Sequence, residues 1–139
     1  MLAERRCGAF PADLVIRVAL AWLVVAGLLV AVNWQAIGAR HFPDPDDAMR
    51  LVQVRDVLAG QGWFDLTQYR VDAPGGGIAM HWSRLVDIPL LVVIALLSPL
   101  VGAGAAEGAA LVVVPLVTLF ASMLLAARVA YRLLGEEET

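Results

Sequence analysis

Three carboxylates within four positions, Asp44, Asp46 and Asp47, follow the first strongly apolar stretch of the chain. Acidic side chains at a helix start cap it and oppose its dipole, each contributing roughly 0.3–1 kcal/mol. That role explains one of the three fully and leaves at least one to spare. A spare carboxylate at a membrane surface is suited to Mg²⁺ or Mn²⁺, which prefer oxygen ligands. His81-Trp82 is the second candidate, either as interfacial packing or as a contact to a sugar or phosphate. Arg84 and Asp87, three residues apart, fit a pair on a helix surface better than a ligand clamp.

The rest of the chain must position these groups. Of its 139 residues, 60% are hydrophobic, well above a soluble domain, so a membrane protein is expected. The net charge of -3 argues against nucleic acid, which needs a basic surface. All ten basic residues are Arg, and Ala, Val, Leu and Gly abound, which fits a GC-rich bacterial genome. Cys7 is alone, so neither a disulfide framework nor a cysteine metal site is expected.

The sequence reads as an all-α integral membrane protein with two transmembrane helices, three being possible. A tail over 1–13 carries Arg5 and Arg6. The first span covers 14–38 and is long enough for a hydrocarbon core of about 30 Å. Its one charge, Arg17, sits near enough to the end to snorkel, and Trp34 marks the far interface. This span is longer than the apolar region of a signal peptide, so it is expected to remain uncleaved. A loop over 39–104 follows.

Within the loop, 44–59 reads as an amphipathic helix. Asp44 caps it, Pro45 takes the first position, and Gly60 stops it. Ala48, Leu51, Val52, Val54 and Leu58 share one face; Asp46, Arg50 and Gln53 line another, expected to be exposed. Trp63-Phe64 suits an interface, and 74–77 is too rich in Pro and Gly for a regular element. The apolar run at 85–101 is short between Pro89 and Pro99, which favours a peripheral helix over a span. The second span covers 105–131 with Pro115 inside it, and 132–139 is a second tail. If 85–101 does not cross, Arg5 and Arg6 lie on the same side as Arg128 and Arg132. The positive-inside bias then makes both tails cytoplasmic and the loop periplasmic.

Asp44-Pro45-Asp46-Asp47-Ala48-Met49-Arg50 after an apolar span resembles the first external loop of the oligosaccharyltransferase catalytic subunit and its bacterial relatives in the GT-C superfold. Trp63-Phe64-Asp65, Pro74-Gly75, His81-Trp82 and Leu85-Val86-Asp87 extend the likeness in order. The resemblance implies a bacterial inner-membrane glycosyltransferase moving a sugar or oligosaccharide from a polyprenyl-phosphate donor to a periplasmic acceptor. It implies a metal-binding catalytic carboxylate at Asp46 or Asp44, with Asp47 as a further ligand. Arg50 or Arg84 would steady phosphate, beside His81 and Trp82. It also implies a peripheral helix at 85–101.

The family's second acidic motif is missing, and no two Trp residues adjoin. The chain is therefore expected to be an N-terminal fragment, inactive alone, that supplies one wall of a site. Membrane lipid and further membrane helices are its expected partners. The alternative is a small non-catalytic inner-membrane protein whose periplasmic helix docks a partner.

Overall fold

In the computed structural model, which describes residues 12–42 and 44–134, the long apolar runs become helices. The element order is α1 (Ala12–Ala39), α2 (Pro45–Leu58), β1 (Thr67–Gln68), a 3₁₀ turn (Ala73–Gly75), β2 (Ile78–Ala79), a second 3₁₀ turn (Arg84–Asp87), α3 (Ile88–Val101) and α4 (Ala103–Leu134). Cys7, Arg5, Arg6 and the terminal Glu136–Thr139 run lie outside the described residues.

Among the described residues three helical segments are long and apolar enough to cross a membrane: Ala12–Ala39, Arg84–Val101 and Ala103–Leu133. The chain is thus an all-α, multi-pass membrane protein with two or three spans. Pro99 does not end α3, so the middle segment is longer than its bounding prolines imply. The second apolar helix also starts earlier than 105, because Gly102 at φ +82° separates it from α3.

The chain divides into two units. The first takes 12–34 of α1 and 115–134 of α4. Trp22 joins them: its Nε1 donates to the Leu116 carbonyl at 2.8 Å, and its ring meets Phe120 at 5.3 Å between centroids. That carbonyl is next to Pro115, within the helix. Ile16, Leu20, Leu23, Val24, Leu28 and Val32 of α1 stay exposed, as expected of side chains facing lipid.

The second unit, Gln35–Val114, carries every sequence-predicted site residue. Its apolar core is Leu51 and Val54 from α2, Leu90 and Ile94 from α3, and Ala106 and Ala110 from α4. The two alanines let the larger side chains approach the α4 backbone closely. Around this core the last turn of α1 ends in a Schellman arrangement: His41 N donates to Ala36 O at 2.8 Å and Arg40 N to Ile37 O at 3.1 Å. Arg40 occupies the left-handed position at φ 51°, which costs a non-glycine residue about 1–3 kcal/mol. The guanidinium offsets that strain by donating to Gly104 O and lying 3.8 Å from Glu107. Arg55 meets the same carboxylate with two hydrogen bonds, at 2.8 and 2.6 Å, so Glu107 ties α2 and the end of α1 to the start of α4.

A two-stranded antiparallel hairpin, which the sequence did not announce, pairs Thr67 with Ala79 and Gln68 with Ile78. Gly77 is required there. Its φ is +91°, and a Cβ would come within 2.8 Å of the Thr67 methyl. The stretch read as too rich in Pro and Gly forms one short 3₁₀ turn, Ala73–Gly75, entered through Asp72 in a left-handed conformation.

Candidate functional site

The start of α2 follows its residue types. Asp44 is extended at φ -127° and accepts from Asp46 N at 2.9 Å, and Pro45 fills the first turn. Asp44, Asp46 and Asp47 are all exposed. Among the described residues, neither Asp46 nor Asp47 forms an ion pair, so their charge is opposed only by the helix dipole. No three carboxylate, imidazole or thiol groups among the described residues are gathered closely enough to cage a metal. The donor chemistry suits Mg²⁺ or Mn²⁺ in its water-rich form, where one or two carboxylates bind and substrate phosphate supplies other oxygens.

The remaining predicted residues converge further along α2, around a residue not singled out as a ligand. Gln53 is 1% exposed. Its side-chain oxygen accepts from Trp82 Nε1, and its backbone carbonyl accepts from Arg84 at 3.3 Å. The polar stripe of α2 is therefore not a solvent face, which corrects the sequence expectation. Asp46 does face water, but Gln53 turns inward and Arg50 is half-buried. Trp82 Nε1 and the Leu66 carbonyl hold the Gln53 side chain inside, and Arg50 leans towards Asp87 of the Arg84–Asp87 turn.

Arg84 and Asp87 differ from expectation in the same way. They are 3% and 0% exposed and form no surface pair. Arg84 donates to Gln53 O, to Gln61 Oε1 at 3.2 Å and to Asp65 O, joining α2 to the loop before the hairpin. Neither Asp87 oxygen has a hydrogen-bond partner among the described residues, nor does Arg84 Nε. The nearest cation is Arg50, whose Nε lies 3.9 Å from Asp87 Oδ1. The Arg50 guanidinium carbon also sits 5.7 Å from the Trp82 ring centre, in cation–π range. His81 leans on that same indole, with ring centres 4.9 Å apart at 56°. Arg50, His81, Trp82 and Arg84 thus belong to one cluster, and Asp44, Asp46 and Asp47 stand apart at the exposed helix start.

Sequence reasoning missed Gln53, Asp87 and Glu107 as organisers. Asp87 and Glu107 carried a signal, since each is a lone carboxylate at the edge of an apolar run. Gln53 carried none.

A second polar group braces the hairpin. Arg70 pairs with Asp56 at 2.6 Å, and Gln68 donates to the same Asp56 oxygen at 3.2 Å. The Arg70 hydrogen bond holds the Asp56 carboxyl below the usual range. Asp65 accepts from Thr67 N at 3.0 Å and from the Tyr69 hydroxyl at 3.0 Å, and the backbone donor chiefly lowers its pKa too. A depressed carboxyl stabilises the fold above its unfolded pKa of about 4, and that contribution is lost as pH falls through the folded value. Protection of the Thr67, Gln68, Ile78 and Ala79 amides against hydrogen exchange, taken relative to the rate of an unstructured chain at the same pH, should therefore fall below about pH 4. Asp65→Asn should remove part of that pH dependence.

Comparison with family models, with curated proteins and with solved structures found no match to this chain. The fold and the site define a class: a multi-pass, all-α membrane protein whose apolar helices face lipid and whose Gln35–Val114 unit has a polar cluster built on α2.

Proposed function

We propose that the chain forms one wall of a GT-C-like glycosyltransferase site, in which a sugar passes from a polyprenyl-phosphate carrier to a periplasmic acceptor. The observation that carries this reading is the gathering of Arg50, His81, Trp82 and Arg84 into one cluster behind a helix start whose carboxylates are exposed and, among the described residues, form no ion pair. Arg50, His81 and Trp82 come from separate stretches on which the resemblance rests, and Arg84 lies between two of them. Asp46, with Asp44 or Asp47, would hold Mg²⁺ or Mn²⁺, which supplies positive charge to offset that of the donor phosphates. Arg50, one-third exposed, is the cation placed to meet a phosphate. Arg84 steadies the cluster from inside, and Trp82 offers a face to a sugar or a guanidinium.

Catalysis requires donor, acceptor and metal to be held together. Without a second acidic motif or a tryptophan pair, this chain requires further helices for that. The bacterial inner membrane, a cytoplasmic N-terminus and a periplasmic 39–104 loop complete the proposal. The packing of Leu90 and Ile94 against α2 favours α3 as a helix along that loop over a third span.

Native mass spectrometry of the full chain with a polyprenyl phosphate tests the reading. Binding is expected to increase with Mn²⁺ and to weaken about tenfold in Arg50→Ala, the loss of one charge-assisted contact of about 1.4 kcal/mol. Absence of binding, or equal binding by the variant, would sink it.

A further inference from the structure

Arg50 lies three and four residues beyond Asp47 and Asp46, the spacings at which a helix brings opposite charges together. Neither pair forms. The guanidinium turns instead to Asp87, 3.9 Å away, and rests on the Trp82 ring. Asp87 is fully buried and has no hydrogen-bond donor among the described residues. The charged groups nearest it in effect are Arg50 from α2 and Arg84 from its own turn, while α3 contains no ionisable residue. The terminal nitrogens of Arg84 are committed to Gln53, Gln61 and Asp65 and its Nε does not reach Asp87, which leaves Arg50, among the described residues, as the cation within 4 Å of that carboxylate. An ion pair with a desolvated partner is screened less than one with exposed Asp46 or Asp47.

We propose that Asp87 is a positioning residue that latches Arg50 onto the Trp82 face and keeps it off the carboxylates at the start of α2. The consequence is that two opposed charges stay apart on one helix: an acidic end available to a cation, and a guanidinium further along available to an anion. That consequence rests on the proposed function, whereas the latch itself requires no ligand.

Phenylglyoxal labelling of the full chain in detergent, read residue by residue by mass spectrometry, tests the latch. In Asp87→Asn, Arg50 should label several-fold faster while buried Arg84 stays protected, and Asp87→Glu should restore slow labelling. The reagent needs neither metal nor sugar carrier, so a chain that binds neither still reports the latch, and failure here is distinct from failure of the proposed function. An unchanged Arg50 rate in Asp87→Asn would overturn the proposal, as would Arg84 accelerating in step, the mark of general loosening. Asp46→Asn with Asp47→Asn gives a second reading at exposed positions where folding is not at risk. Arg50 labelling should not change there, and a changed rate would mean that Arg50 rests on those carboxylates after all.

Discussion

Replacing Arg84 by Ala is expected to destabilise the Gln35–Val114 unit by about 2–3 kcal/mol, the upper part of the range for leaving a buried acceptor without its donor. Arg84 is 3% exposed, and its guanidinium donates to three acceptors: Gln53 O, Gln61 Oε1 and Asp65 O. Truncation leaves the buried Gln53 carbonyl without this donor, frees the part-buried Gln61 and Asp65 acceptors, and removes a nearby positive charge from buried Asp87. Arg84→Lys should recover little, because a single ammonium cannot span three acceptors arranged around a planar fork. Denaturant unfolding in detergent, followed by hydrogen exchange within residues 50–87, measures the effect. A shift below about 1 kcal/mol, the size of a surface ion pair, would show that the guanidinium does not hold α2 to the loop.

The membrane helices were legible because a run of twenty apolar residues has few alternatives to spanning a bilayer. The start of α2 was equally legible, since Asp44, Pro45 and the following acids act within one turn. Contacts across long sequence distances were not. Nothing local to Gln53 says that Trp82 and Arg84 will reach it, and a glutamine at that helical spacing reads as surface. The Arg84–Asp87 spacing suggested an exposed pair because i, i+3 partners face each other on an α-helix. Here that stretch is a 3₁₀ turn whose Arg84 and Asp87 share the inward face while Leu85 and Val86 are exposed, so the same spacing marks a buried face and not a surface pair. The hairpin was hidden because each strand has only two residues, too few for alternation to register. Glu107 is a lone carboxylate near the start of α4, and only the fold identifies Arg55 and Arg40 as its partners.

The second large effect concerns the cation. In Asp44→Asn with Asp46→Asn, Mn²⁺ binding is expected to disappear while α2 remains folded. Asn caps a helix about as well as Asp, so the 2.9 Å bond from Asp46 N to residue 44 has a substitute acceptor. Asp46 is exposed and has no ion pair among the described residues, so its neutral isostere leaves no buried partner stranded. The helix loses charge and keeps its shape. Loss of metal binding in this variant would therefore report ligand chemistry, and circular dichroism of the same samples checks that the helix survives.

The most direct measurement is an electron paramagnetic resonance titration of Mn²⁺ into the full chain in detergent, following loss of the free-ion signal for the native protein and the double variant. Uptake by the native chain and none by the variant is the expected result. Equal uptake by both, or uptake by neither, would contradict a cation held by the carboxylates at the start of α2.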